Sequence, residues 1–120
     1  MATTQNTYDI FSWTQPPAKP DGPDYVYFIQ NKKADLIKIG RSWKPALRLQ
    51  QLQRVNPNSL ALEATIEVSG SYNSASLEKH LHNYFAETRV EGEWFLPSDD
   101  LLNLIEDAKL ERINIGRGHL

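Results

Sequence analysis

Residues Tyr25 to Arg48, YVYFIQNKKADLIKIGRSWKPALR, decide the fold of this chain. The run YVYFI is rich in β-branched and aromatic residues, and LIKIG resumes the same extended pattern after turn-forming residues at 31–35. This pattern predicts an antiparallel hairpin. Ser42 is a candidate cap for a following helix, and Pro45 suits the first helical turn, where a missing amide hydrogen costs little.

Outward from this stretch, the pattern predicts one more strand, two more helices and a short segment, GEWFL, that forms a strand or an extended turn. Apolar and polar residues alternate from Leu60 to Val68, as in a half-exposed strand. A helix is expected from about Ser74 to Glu87, and Ser98 is expected to cap a final helix. Each of these segments has predicted core residues. They are Leu49 and Leu52 in the first helix, Leu77, Leu81, Tyr84 and Phe85 in the second, Trp94 and Phe95 in GEWFL, and Leu101, Leu104, Ile105 and Ala108 in the last helix.

These elements predict an α/β (α+β) domain with a small, mainly antiparallel sheet of about three strands flanked by helices. A length of 120 residues fits one domain. We expect an irregular N-terminal arm at 1–23, which contains four prolines, a folded domain at 24–112 and a C-terminal tail at 113–120. The apolar residues between Tyr8 and Trp13 indicate either packing of the arm on the domain or a peptide that recruits a partner.

Composition narrows the function classes. The chain has no cysteine, which excludes disulfides and thiolate zinc sites and favours hard cations such as magnesium. No window approaches the roughly 18 apolar residues of a membrane span, and the N-terminus does not read as a secretory leader, so we expect a cytoplasmic protein without a membrane partner.

Charge is segregated along the chain although the net charge is only −2. Between residues 30 and 54, one acid, Asp35, accompanies the basic residues Lys32, Lys33, Lys38, Arg41, Lys44, Arg48 and Arg54. A basic face that holds a polyanion and an ordinary solvated surface both explain this pattern. Taken singly, the other polar residues also have ordinary explanations: Tyr27 as half-buried packing and Glu78 with His82 as a helical surface pair.

The order and spacing of these residues resemble the GIY-YIG nuclease family, and in particular its compact phage-associated branch. The two family motifs resemble Val26-Tyr27-Phe28 and Lys38-Ile39-Gly40, the family arginine falls at Arg48, and the family glutamate matches Glu78. The branch pattern is similar to Glu78, Leu81, His82, Phe85, Arg89 and Gly92-Glu93-Trp94-Phe95. The resemblance covers 24–98. The chain departs from the family at Tyr25, Lys38 and Leu52, where a glycine, a tyrosine and a histidine or tyrosine are usual.

The resemblance implies a site for phosphodiester hydrolysis. Glu78 would hold Mg²⁺ or Mn²⁺, and Arg48 would contact nonbridging phosphate oxygens. Tyr27 would orient or deprotonate water, with its pKa lowered by the metal and by Lys38; Lys38 is itself an alternative base or a phosphate clamp. His82, one turn after Glu78, is expected to serve as a second ligand, a proton relay or a phosphate contact.

The chain is therefore expected to be a metal-dependent DNA endonuclease that nicks one strand with little sequence specificity, in the cytoplasm of a bacterial or phage-infected cell. Arg41, Lys44 and Arg54 are candidate contacts to the DNA backbone, with solvated helix charges as the alternative. A homodimer, or a protein recruited through the N-terminal arm, are the expected partners besides DNA. The alternative is a catalytically inactive scaffold that binds nucleic acid or a protein.

Overall fold

A computed structural model describes residues 23–69 and 73–111. The expected N-terminal arm, apart from its last residue, and the expected C-terminal tail lie outside the described residues. The described elements, in chain order, are β1 (Asp24–Asn31), β2 (Leu36–Ser42), α1 (Pro45–Arg54), β3 (Leu60–Val68), α2 (Ser74–Tyr84), a 3₁₀ turn (Ala86–Thr88), β4 (Arg89–Glu91), β5 (Trp94–Phe95) and α3 (Asp99–Lys109).

The hairpin predicted from the opening stretch is confirmed. β1 and β2 pair antiparallel with Tyr27 opposite Gly40 and Ile29 opposite Lys38. The turn between them is closed by Asn31, whose side chain accepts a hydrogen bond of 3.0 Å from the Ala34 amide. This side chain thus satisfies a turn amide and stabilises the register of the two strands.

The sheet has five strands in the order β3-β1-β2-β5-β4, with antiparallel pairing throughout, and not about three as expected. The two additional strands, β4 and β5, have only three and two residues. They are joined through Gly92, whose φ of 57° is a conformation that favours glycine. Strands this short show no periodicity, which explains why the sequence did not reveal the pairing.

The sheet carries a large core on one face and a small one on the other, because side chains alternate along β1 and β2. The large core lies under α2 and α3 and contains, from β1, Val26 and Phe28. The small core contains Tyr27, Ile29 and Leu60, with α1 packed over it. The central hairpin is therefore covered on both faces, and its side chains alternate between the large core and the small core.

Helix α1 differs from expectation in two details. Leu49 and Leu52 do pack against the small core but remain partly exposed, and α1 has no fully buried residue. This helix covers only a few apolar side chains, so its stripe does not become fully enclosed. The N-cap residue is Lys44 and not Ser42. The Ser42 hydroxyl accepts a 3.0 Å hydrogen bond from the amide of Lys44, before the first helical residue.

The remaining helices agree more closely with the sequence. Ser98 caps α3 by accepting a 3.3 Å hydrogen bond from the Leu101 amide, and the four predicted core residues of α3 are buried. Helix α2 ends at Tyr84, where a 3₁₀ turn replaces the predicted final turn. None of the helices within 23–69 and 73–111 combines the length and apolar character required to cross a membrane.

Candidate active site

The Tyr27 ring lies directly across Gly40 of the neighbouring strand. A β-carbon added at Gly40 would come within 2.9 Å of the Tyr27 Cε1 atom and closer still to Cζ and the hydroxyl oxygen. Gly40 does not adopt a positive φ, so the backbone conformation does not require glycine here. The ring needs the space. Glycine in the second motif therefore allows a buried tyrosine to extend its hydroxyl across β2.

The Tyr27 hydroxyl lies among charged groups from three elements. Burial raises its pKa above the ordinary value of 10.0, and the charges of Glu93 and Glu78 raise it further. The nearby Arg48 guanidinium lowers the pKa but does not outweigh burial. The lowered pKa expected from the sequence relied on a bound metal ion and on Lys38, whereas the side chains around the hydroxyl together raise the pKa. The hydroxyl therefore keeps its proton at neutral pH in the metal-free protein.

Glu78, His82 and Glu93 form a cluster, here called the sheet-edge cluster, whose carboxylate oxygens and imidazole nitrogen all lie within 4.8 Å of one another. Glu78 and His82 come from successive turns of α2, and Glu93 directly precedes β5. Two carboxylates and one imidazole form an oxygen-rich ligand set. Such a set fits Mg²⁺ or Mn²⁺.

The position of His82 follows from where the sheet ladder ends. β5 pairs with β2 only at Ile37 and Lys38, and the Ile39 amide donates a further 3.0 Å hydrogen bond to the Glu93 carbonyl. His82 Nε2 lies 2.8 Å from the Ile39 carbonyl oxygen. Since a carbonyl only accepts, Nε2 must carry a hydrogen, and in the neutral form of the ring Nδ1 is the nitrogen with a lone pair. A backbone partner of this kind orients histidine as a metal ligand.

Glu78 is held in an environment that disfavours its own negative charge. Burial and the neighbouring Glu93 carboxylate raise its pKa above 4.5, although His82, Arg41 and Lys38 partly oppose the rise. Arg41 Nε is 3.9 Å from Glu78 Oε1, too far for a close ion pair. The negative charge of Glu78 is therefore only partly compensated, and a bound cation would relieve its repulsion with Glu93.

Lys38 points to the same face of the hairpin as Tyr27 and is almost fully buried. Its Nζ atom lies 2.7 Å from Glu93 Oε1 and 5.7 Å from the centre of the Trp94 ring. The ammonium group is thus held between a carboxylate and an aromatic face. Of the residues predicted from the sequence, Lys38, Glu78 and His82 meet around Glu93. Tyr27 and Arg48 are near enough for charge interactions with one another, and Tyr27 also with Glu78 and Glu93.

The three residues predicted to contact DNA lie in different surroundings. Arg41 lies between Asp24 and Glu78, with 3.9 Å to an oxygen of each. Lys44 is exposed, and its ammonium lies 4.8 Å from the centre of the Trp43 ring. Arg54 is exposed in the last turn of α1. Arg41 thus serves carboxylates next to the cluster, whereas Lys44 and Arg54 face solvent.

Sequence reasoning assigned no role to Glu93, although the residue belongs to the GEWF block. Its neighbours Trp94 and Phe95 attracted the interpretation because aromatic residues are usual core components. An available signal was the ionisable residue placed directly before a short apolar segment. Its partners, Lys38 and Glu78, are 55 and 15 positions away in the chain. Only the fold shows that the three meet.

Comparison with known proteins identifies one family. The sequence model of the T5orf172 domain matches residues 24–109, which is most of the chain and includes every residue of the site described above. This domain is phage-associated and occurs in some nuclease-like proteins. Neither the curated proteins nor the solved structures include a match.

Proposed function

The chain belongs to the T5orf172 domain family, and we propose that it is a metal-dependent endonuclease of GIY-YIG type that hydrolyses phosphodiester bonds of DNA. The observation that carries this proposal is the sheet-edge cluster, with Lys38 Nζ 2.7 Å from Glu93 and with the Tyr27 pKa influenced by the charges of Arg48, Glu78 and Glu93. A phosphate bound there would face a fixed cation, a hydroxyl donor and a set of metal ligands together.

The metal would be held by Glu78, with His82 Nδ1 and Glu93 as further ligands, and Mg²⁺ or Mn²⁺ fits this donor set. When bound, such an ion supplies charge neutralisation at the phosphate and lowers the pKa of a coordinated water. The Ile39 carbonyl keeps the imidazole in the orientation and tautomer that ligation requires.

The other side chains position the substrate. The forked, permanently charged guanidinium of Arg48 suits two nonbridging phosphate oxygens. Tyr27, whose pKa is raised by burial, is a hydrogen-bond donor that orients water or a phosphate oxygen. Lys38 is held 2.7 Å from Glu93, where its ammonium adds positive charge beside the phosphate. Water deprotonation by Tyr27 or Lys38 would require release of these contacts.

A single site of this kind cuts one strand, so the proposed product is a nick, and double-strand breaks require a homodimer or successive nicks. Lys44 and Arg54 are proposed to hold the phosphate backbone, and such contacts carry no base information. Sequence specificity is accordingly proposed to be low unless a protein recruited by the N-terminal arm adds it. We place the activity in the cytoplasm of a bacterial or phage-infected cell.

The second candidate function is a catalytically inactive scaffold that binds nucleic acid or a protein. Lys38 favours it, because this residue replaces a family tyrosine and its ammonium is engaged by Glu93, one of the three proposed metal ligands. A scaffold needs neither available metal-ligating side chains nor a bound metal. The two candidates therefore differ in whether substitution of Glu78 changes the rate of DNA cleavage.

Incubation with supercoiled plasmid in Mg²⁺ or Mn²⁺ tests the proposal. We expect wild type to produce open circles, and Glu78→Gln and Arg48→Ala to be slower by about 100-fold or more, because each removes a charge that stabilises the transition state. Glu106→Gln, an exposed glutamate on α3, is the matched control and should nick like wild type. Equal nicking by wild type and Glu78→Gln contradicts the proposal. A wild type that cuts no plasmid, single-stranded DNA or RNA supports the scaffold instead.

A further inference from the structure

Trp43 is exposed beside the proposed active site. It keeps 71% of its surface accessible and is the only aromatic residue among the large exposed apolar side chains in residues 23–69 and 73–111. It occupies the two-residue junction between Ser42, the last residue of β2, and the start of α1. An indole ring with this exposure gains little from folding and is available to a ligand.

The surroundings of Trp43 are positively charged. No acidic residue occurs from position 42 to position 62, and the charged residues there are Lys44, Arg48 and Arg54. The Lys44 ammonium lies 4.8 Å from the centre of the Trp43 ring. An aromatic face among cations complements a nucleic-acid strand, whose bases stack and whose phosphates are anionic. It does not complement a purely apolar partner, which would leave these cations without counter-charges.

The distance to the site is short. Trp43 follows Gly40, the residue over which the Tyr27 ring lies, by three positions, and three residues span at most about 11 Å. Arg48, whose guanidinium is near enough to oppose the rise in the Tyr27 pKa, lies one turn of α1 beyond Lys44. A nucleotide next to a phosphate held by Arg48 is therefore within reach of the indole ring.

We propose that Trp43 stacks on an unpaired base adjacent to the phosphate at the active site, so that the preferred ligand is single-stranded or locally unpaired nucleic acid. In an intact duplex both faces of each base are already stacked within the helix, whereas an unpaired base offers a free face to an aromatic ring. This inference rests on the proposed function for the location of the phosphate, but the stacking contact is measurable without cleavage.

The test measures binding of a fluorescently labelled oligo(dT) of about 12 nucleotides by fluorescence anisotropy. EDTA is present so that no metal-dependent cutting occurs. We expect Trp43→Ala to weaken binding by about tenfold and Trp43→Phe to keep most of the affinity, because phenylalanine retains an aromatic face. Leu102→Ala, a partly exposed apolar residue on α3, is the matched control and should bind as wild type does.

An abasic strand of the same length separates stacking from charge. It carries the same phosphates but no bases, so Trp43→Ala should bind it as wild type does, and a blunt duplex should show less than threefold change. If Trp43→Ala loses affinity equally for oligo(dT) and the abasic strand, or loses affinity for neither, the inference is overturned. It is also overturned if wild type sediments as a dimer and Trp43→Ala as a monomer, because Trp43 would then contact a second copy of the chain. Trp43-dependent binding by a protein that never cuts leaves the inference standing and removes the proposed catalysis.

Discussion

Gly40→Ala is predicted to change the sign of its effect on stability according to the residue at position 27. In the wild-type background the new methyl group would come within 2.9 Å of Tyr27 Cε1 and closer to Cζ and the hydroxyl oxygen. Tyr27 is 1% exposed and cannot swing into solvent. The ring or the strand must move, and such overpacking costs about 1–3 kcal/mol.

The opposite sign is expected once the ring is removed. Gly40 has no positive φ, so alanine fits its backbone, and replacing glycine there reduces the conformational entropy of the unfolded chain. In a Tyr27→Leu background Gly40→Ala should therefore stabilise by about 0.4–1 kcal/mol. The two effects differ by a coupling energy of about 1.5–4 kcal/mol between positions 27 and 40.

Urea unfolding of the four proteins of this cycle measures the coupling. Gly92→Ala is the control, because Gly92 has a φ of 57° and nothing within 4 Å of an added β-carbon. Its cost, about 1–2 kcal/mol, arises from the backbone alone and should be the same with either residue at position 27. A Gly40→Ala variant that is neutral, or equally destabilised in both backgrounds, would refute the packing of the ring across Gly40.

Two further predictions concern α2 and the residues it carries. Burial and Glu93 raise the pKa of Glu78 above 4.5, so the folded state binds its proton more tightly than the unfolded state does, and the free energy of unfolding should fall as pH rises from 4.5 through the raised pKa. Glu78→Gln should remove this decline and be more stable than wild type at pH 7 in EDTA, whereas Mg²⁺ should raise the Tm of wild type but not of the variant. Urea unfolding across pH measures the first effect, and a thermal melt with Mg²⁺ measures the second. A Glu78→Gln variant that is less stable than wild type at pH 7 in EDTA contradicts the reasoning. Asn73 caps α2 by accepting from the Ala75 and Ser76 amides, so Asn73→Ala should lower stability by about 1 kcal/mol in a thermal melt, and an unchanged Tm would contradict the cap.

The confirmed predictions are those that rest on local chemistry. The β1–β2 hairpin follows from a continuous β-preferring pattern interrupted by turn residues, and Ser98 caps α3 through a contact only three residues away. The wrong prediction is the number of strands, because β4 was not expected, whereas β5 falls in the GEWFL segment predicted as a strand or extended turn. β4 and β5 together contain five residues and are held by pairing with β2 and with each other.

The site divides in the same way. Tyr27, Lys38, Arg48, Glu78 and His82 could be chosen because their order and spacing resemble the motifs of a nuclease family. The effect of burial on them could not be predicted. The sequence analysis expected a bound metal ion and Lys38 to lower the pKa of Tyr27, but it did not include burial under α1, which raises this pKa, because desolvation depends on the packing of distant segments.

By itself the sequence determined the central hairpin, the three helices and the segregation of basic residues, because each depends on neighbours within a few positions. The candidate groups for phosphate chemistry came from the order of motifs along the chain. Only the tertiary structure decided that Glu93 joins Glu78 and His82 within 4.8 Å and that its carboxylate engages Lys38. The physical reason is the antiparallel pairing of β5 with β2, which ends at Lys38 and leaves the Ile39 carbonyl to His82. Distances across a sheet edge are set by that register, and no local pattern encodes them.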